Sequence, residues 1–224
     1  MAANNSGDKG TRNLVIIMVA FIVVVGVVFS LISNRSNSTA AVPASVSAAD
    51  GYGIVLNPNA KPTIDVYVDY QCPACRAFEI LNGGYLNEVI AQNKAKVVFH
   101  PMTFIGPESI LAANAAACAA DENEFVDMNL ALFQGQASSE NSGKWQGDAM
   151  LNIGKSIGIN SAKFEACIKD GNYVKWTGNV SAATAKANVN STPTIFVNGK
   201  QLDRNTEYGD PVKFRAALAA GGVK

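Results

Sequence analysis

Thr63-Ile64-Asp65-Val66-Tyr67-Val68-Asp69-Tyr70-Gln71-Cys72-Pro73-Ala74-Cys75-Arg76-Ala77-Phe78-Glu79 is the stretch that decides the fold. Its first seven residues are β-branched and aromatic in alternation, which predicts a strand ending at the aspartate. After the cysteines the composition turns helical, with Ala77, Phe78, Ile80 and Leu81 available for one buried face. The cysteine pair is therefore expected where a strand hands over to a helix.

That position carries chemistry. A helix start presents unpaired backbone N–H groups and the positive end of the macrodipole, so a sulfur at Cys72 is favoured as thiolate. Pro73 suits the first helical turn, where its missing N–H costs nothing. Cys75 lies about one turn on, within reach of closing a disulfide with Cys72 or attacking one that Cys72 has made. On this reading Cys72 is the nucleophile and Cys75 the resolving cysteine.

The chain has 224 residues, and an apolar content of 48% is ample for a core. Formal charge is zero and only 16% of residues are charged, which argues against an electrostatic nucleic-acid surface. Four cysteines can all pair if the domain faces an oxidising compartment. A zinc site would need all four sulfurs, or three with the single histidine His100, gathered from distant positions. The second pair, Cys118 and Cys167, lacks finger or ribbon spacing, so no metal is expected.

Outward from the cysteines toward the N-terminus, Gly53-Ile54-Val55-Leu56 predicts a short first strand before turn signals at Asn57-Pro58-Asn59. Residues 33–51, rich in Ser, Asn, Thr and Ala, read as a flexible linker. Before them, Leu14 to Ile32 is an uncharged run of 19 residues. At about 1.5 Å per residue it is long enough for a hydrocarbon core of about 30 Å. Lys9 and Arg12 precede it and Arg35 follows, which places residues 1–13 in the cytoplasm and the remainder outside. A cleaved signal peptide is the alternative, with Ser38-Thr39-Ala40 as a small-residue site, but the run exceeds the usual apolar length. A retained single-pass anchor in the cell membrane is the expectation.

On the other side, Lys96-Val97-Val98-Phe99-His100 predicts a second main strand stopped by Pro101. His100 has no nucleophile near it in sequence and is assigned a structural role. Residues 108–187 are helical in pattern: Ser109 to Phe133, then a helix capped by Asp148, another opened by Ser161 and closed at Asp170-Gly171, and a last one over Tyr173 to Ala187. Cys118 and Cys167 fall on two of these helices. Paired, they would close a loop worth on the order of 4 kcal/mol, a structural staple; a second redox site and two buried free thiols are the alternatives. Asn190-Ser191-Thr192-Pro193-Thr194-Ile195-Phe196-Val197-Asn198-Gly199-Lys200 then predicts a strand, a turn at Asn198-Gly199 and a second strand from near Gln201. Pro193, at the strand's start, can be cis. Asp210-Pro211 opens a C-terminal helix.

With these stretches in place the sequence resembles the thioredoxin superfamily, and within it the DsbA-like thiol-disulfide oxidoreductases. The resemblance rests on Asp69-Tyr70-Gln71-Cys72-Pro73-Ala74-Cys75 and on Ser191-Thr192-Pro193-Thr194 running into Ile195-Phe196-Val197-Asn198-Gly199, and covers about Tyr52 to the C-terminus. Pro193 lies 118 residues beyond Cys75, with mostly helical sequence between. This implies an α/β thioredoxin fold with an inserted helical domain: 52–107 and 188–224 the two thioredoxin parts, 108–187 the insertion, preceded by the transmembrane helix at 14–32. Anchor, linker and extra cysteine pair are most similar to membrane-tethered members from Gram-positive bacteria, particularly actinobacteria.

The resemblance further implies that Cys72 is the exposed nucleophile, Cys75 its buried partner, Pro73 and Ala74 the redox-motif residues, and Pro193 a cis-proline facing the disulfide. Thr192 would offer backbone groups to an extended substrate strand. Two positions depart from the family. Its frequent buried acid, six residues before the first cysteine, is Val66 here, with Asp65 adjacent and facing the other way; and Ala74 stands where strong oxidants carry histidine.

The implied function is extracytoplasmic introduction of disulfides into reduced, unfolded exported proteins, with reoxidation by a membrane partner of the DsbB or VKOR type. A tethered reductase or isomerase on the same fold is the first alternative, a non-catalytic binding domain the second. No metal, nucleotide or flavin motif is visible, so no cofactor is expected. No dimerisation segment is present, so a monomer is expected.

Overall fold

The structure, a computed structural model, describes residues 40–224. The expected tail at 1–13 and membrane span at 14–32 lie outside the described residues. Among the described residues no helix is long and apolar enough to cross a membrane.

A five-stranded sheet organises the fold: β1 (Ile54–Leu56), β2 (Thr63–Val68), β3 (Lys96–Pro101), β4 (Thr194–Val197) and β5 (Lys200–Gln201), in spatial order β1-β3-β2-β4-β5. Only β2 and β3 run parallel; β1 on β3, β4 on β2 and β5 on β4 are antiparallel. The alternation of β2 is used on both faces. Ile64, Val66 and Val68 are buried on one, with Val66 registered against Phe99 and Ile195. Asp65 and Tyr67 point to the other face, where the Tyr67 ring stacks on His100 at 4.0 Å between centroids and His100 Nε2 lies 3.0 Å from Asp65 Oδ1.

The turn after β2 leads into α1 (Pro73–Phe78), a π-helical turn (Glu79–Gly83) and α2 (Gly84–Ala91). The structure corrects the sequence reading of this segment. The buried positions Cys75, Phe78, Glu79 and Asn82 follow the i, i+3, i+4, i+7 spacing of one helix face, so Ile80 and Leu81, expected inside, lie off that face and are 70% and 45% exposed. A Cβ at Gly83 would sit 2.3 Å from Glu79 Oε1, so a larger residue there would displace the buried carboxylate.

Between β3 and β4 the chain forms α3 (Pro107–Ala120), α4 (Phe125–Gln134), α5 (Ala149–Ser156), α6 (Ala162–Asp170) and α7 (Trp176–Lys186). α3 is buried almost all round, and its run of alanines lets the neighbouring helices approach closely. The Ser161 hydroxyl caps α6 by accepting from Phe164 N at 3.0 Å, and Gly171 ends it in the left-handed region. Asp148 stands at the N-cap of α5, but its side chain makes no capping hydrogen bond. Cys118 on α3 and Cys167 on α6 are joined by a disulfide with Cα atoms 5.9 Å apart.

The final helix α8 (Pro211–Ala220) is capped by Asp210, which accepts from Val212 N and Lys213 N, and Phe214 packs edge-on against Phe78. The reading of residues 33–51 as linker is shortened at its C-terminal side. Ala44 N donates to Asp121 Oδ1 at 2.9 Å, Val55 N donates to Ser45 O at 2.9 Å, and Val46 bridges Ile54. The folded part thus begins before Tyr52.

Candidate active site

Cys72 occupies the N-cap of α1 in extended conformation and Pro73 the first helical position. Cys72 O accepts from Cys75 N at 3.0 Å and Arg76 N at 3.1 Å, so the carbonyl starts the helix while the side chain stays outside it. Cys72 is half-buried, Cys75 fully buried, and both are free thiols. Asp69 N donates to Cys75 Sγ at 3.5 Å, and Cys72 Sγ lies 3.5 Å from Thr192 O. The Thr192-Pro193 peptide is cis. Pro193 O accepts from the Tyr208 hydroxyl at 2.9 Å, which fixes this loop to the far end of the chain.

The two sulfurs differ sharply. A hydrogen bond from the Cys75 thiol is the main influence that brings Cys72 down from 9.0 to about 6; partial burial opposes it, and the Cys75 N–H, the Thr192 hydroxyl and the Ala74 N–H add smaller pulls. Burial pushes the Cys75 thiol far above the ordinary range, and the hydrogen bond and negative charge it shares with Cys72 push it further. The helix start contributes, as the sequence suggests, but the partner thiol contributes more.

Behind the cysteines lies a polar network that the sequence does not announce. Asp69 Oδ1 accepts from Gln71 N at 2.9 Å and from the Ser109 hydroxyl at 2.7 Å, and Oδ2 accepts from Ile105 N at 3.1 Å. Burial raises the Asp69 carboxyl above its ordinary value despite these bonds. The Gln71 amide donates to Ser109 Oγ and Asn141 Oδ1 and accepts from Asn141 N at 2.6 Å. Gln136, just beyond α4, donates through Nε2 to Tyr70 O at 2.7 Å and to Cys72 O at 3.1 Å. Four residues between β3 and β4, Ile105, Ser109, Gln136 and Asn141, thus hold the three residues before Cys72.

Val66 is fully buried under the pair, and Asp65, on the opposite face, is occupied by His100. A different acid is buried nearby: Glu79, one turn after Cys75, whose Oε1 has no partner. Burial raises its carboxyl, against a hydrogen bond to Asn129. The Tyr70 hydroxyl donates to Asn129 Oδ1 at 3.2 Å, so phenol, amide and acid form one buried line beneath α1.

Two clefts meet at Pro193. One, of about 300 Å³, is floored by Ala74, Ala77, Phe78, Leu81 and Tyr208. The other, of about 550 Å³, runs along Ser191, Thr192, Thr194, Gln201 and Leu202. Arg204 lines both. The Cys118–Cys167 bridge joins α3 to α6, and both cysteines are buried.

A family model described as thioredoxin matches residues 51–214. Disulfide bond formation protein D of Bacillus subtilis (strain 168) is 26% identical over 165 residues, 71% of this chain and 73% of that protein. The Na(+)/H(+) antiporter NhaA 1 of Mycobacterium sp. (strain KMS) is 29% identical over 171 residues, which are 74% of this chain and 26% of the antiporter. Among solved structures, the MdbA protein of Actinomyces oris, a thiol-disulfide oxidoreductase, superposes with a TM-score of 0.70 at 22% identity, covering 82% of this chain and 93% of that one.

Proposed function

The chain belongs to the thioredoxin family, and on that premise we propose that it is a thiol-disulfide oxidoreductase that introduces disulfides into exported proteins through Cys72 and Cys75. The observation that carries this reading is the asymmetry of the pair: a half-exposed sulfur brought to about 6 beside a buried one held protonated.

In the oxidised enzyme a client thiolate attacks Cys72 Sγ. The new S–S bond joins client to Cys72, the Cys72–Cys75 bond breaks, and the electron pair leaves on Cys75, which takes a proton because its buried site disfavours the anion. A second client thiolate then attacks the client sulfur of the mixed disulfide. Cys72 departs as a thiolate that its hydrogen bonds stabilise. The client loses two electrons and the enzyme gains them. Thr192, whose carbonyl lies 3.5 Å from Cys72 Sγ, and cis Pro193 are assigned the role of receiving an extended client segment along the Thr192 backbone.

Action outside the cytoplasm is supported by the Cys118–Cys167 disulfide, a bond that persists in oxidising compartments, and by the uncharged run at 14–32, assigned here as a single-pass anchor. Reoxidation is assigned to a membrane partner of the DsbB or VKOR type, and tethering would raise the effective concentration of the two.

The test is a reduction potential together with oxidation of a reduced, unfolded client by wild type and by Cys72→Ser. A potential nearer about −120 mV with activity lost in the variant supports the oxidase. A potential near about −270 mV assigns the site to the reductase direction, the outcome that Ala74 in place of a histidine would favour. Unchanged oxidation by Cys72→Ser overturns the enzyme reading.

A further inference from the structure

The clefts on either side of Pro193 are apolar or neutral over most of their lining, and their charges are few. Arg204 is the charged side chain of the first cleft; in the second it is joined by Asp203. Asp203 is already engaged, its Oδ1 accepting from Asn205 N, Thr206 N and the Thr206 hydroxyl at 3.0, 2.8 and 2.8 Å. Glu207, the other acid of this turn, accepts from Lys200 Nζ at 3.1 Å and Asp203 N at 2.7 Å. Both carboxylates beside Arg204 therefore have partners of their own, and among the described residues Arg204 makes no ion pair.

Its position is nonetheless tied to the site through Tyr208. Arg204 begins the π-helical turn Arg204–Tyr208, whose last residue holds Pro193 O. Burial raises the Tyr208 phenol and the Arg204 guanidinium acts in the opposite direction, so the cation lies within electrostatic reach of the hydroxyl that touches Pro193. A guanidinium that lines a cleft with the half-exposed Leu81 and with Pro193, whose neighbour Thr192 O lies 3.5 Å from Cys72 Sγ, is a recognition element lacking its counter-ion.

We propose that Arg204 is a specificity-determining residue: the clefts take extended client segments in which a carboxylate side chain stands within one or two residues of the reacting cysteine. The inference rests on the oxidoreductase reading above and names the client class it serves. The carboxylate pairs with Arg204 while the cysteine reaches Cys72 across Pro193, and a neighbouring apolar side chain covers the exposed Leu81. Because the pair forms at a partly open cleft, its contribution is that of a surface ion pair and is screened by salt.

The test uses the full-length oxidised protein and three reduced dithiol peptides that differ at one position beside the reacting cysteine: Glu, Gln or Lys. KM and kcat are measured for wild type, Arg204→Gln and Arg204→Glu at low and high ionic strength. For wild type the Glu peptide is expected to have a KM roughly two- to five-fold below that of the Gln peptide, with the Lys peptide weakest and the differences shrinking at high salt. Arg204→Gln should level Glu and Gln, and Arg204→Glu should invert the order. Equal KM values for wild type across the three peptides, or a Glu preference that survives in Arg204→Gln, overturns the proposal while leaving the oxidoreductase reading intact. Failure of wild type to oxidise all three overturns that reading, and the client preference falls with it.

Discussion

Replacing Cys75 by alanine or by serine separates the two sources of Cys72 acidity. The largest single influence that brings Cys72 from 9.0 to about 6 is the hydrogen bond from the Cys75 thiol, ahead of the backbone amides of the helix start. A hydrogen bond to a charged group contributes about 1.5–3 kcal/mol, and about 1.36 kcal/mol corresponds to one pH unit of acidity. Deleting the donor should therefore raise the Cys72 pKa by about one to two pH units. Cys72 is half-exposed, so water replaces part of the lost bond and the lower end applies, a pKa of about 7 in Cys75→Ala. Cys75→Ser keeps an O–H donor on the same turn and should remain near the wild-type value. The assay is the pH dependence of thiolate absorbance, or of alkylation rate at Cys72, in the two variants under identical conditions. Coincident titrations for alanine and serine would refute the reasoning and return the thiolate's stability to the helix amides alone.

Three further outcomes follow from the same structure. The folded-state Cys72 value lies below the ordinary one, so its contribution to the stability of the reduced protein is full above about pH 9 and is lost as pH falls through about 6; the stability of the reduced form relative to the oxidised form, measured by urea unfolding, should rise across that window. Replacing both Cys118 and Cys167 by serine should cost on the order of 4 kcal/mol in the same unfolding experiment, since the bridge closes a separation of 49 residues, while the Cys72 titration stays in place. Glu79 is buried with one oxygen unpartnered and its carboxyl raised by burial, so folding is disfavoured as pH rises above the ordinary glutamate value; Glu79→Gln should raise the melting temperature at pH 8 and give a smaller gain at pH 4.

The parts of this site that a sequence can disclose are those fixed by neighbours along the chain. Cys72 at a helix N-cap, Pro73 inside the first turn and the Ser161 and Asp210 caps each depend on a few consecutive residues. The inward face of α1 and its continuation is different. An apolar pattern points to Ile80 and Leu81, but the helix face set by Cys75 and Phe78 continues through Glu79 and Asn82, two polar residues whose burial composition does not disclose. Residues 43–51 look like linker because their order comes from backbone bonds to β1 and from Asp121, 77 residues beyond Ala44, not from an apolar repeat of their own. Gln136 and Asn141 are equally silent: each is an uncharged side chain in a loop, and its role exists only once contacts 64 to 70 residues long are made.

Those long contacts tie the segment between β3 and β4 to the cysteine pair. The Cys72 loop is held from two directions. The segment leading into β4 faces it with Thr192 O, 3.5 Å from the Cys72 sulfur, and is secured through Tyr208. The segment between β3 and β4 holds it from behind, with Gln136 bridging the carbonyls of Tyr70 and Cys72 and Ser109 and Asn141 fixing Asp69 and Gln71. A sulfur at a helix start is stabilised by donors whose directions matter as much as their number, and a loop free to shift would lose that alignment. The same clamping leaves Cys72 half-exposed while Cys75 stays sealed, which is the condition for clients to meet one sulfur and not the other. The helices and loops between β3 and β4 therefore restrict where Cys72 can go, although none of their hydrogen bonds described above reaches its sulfur.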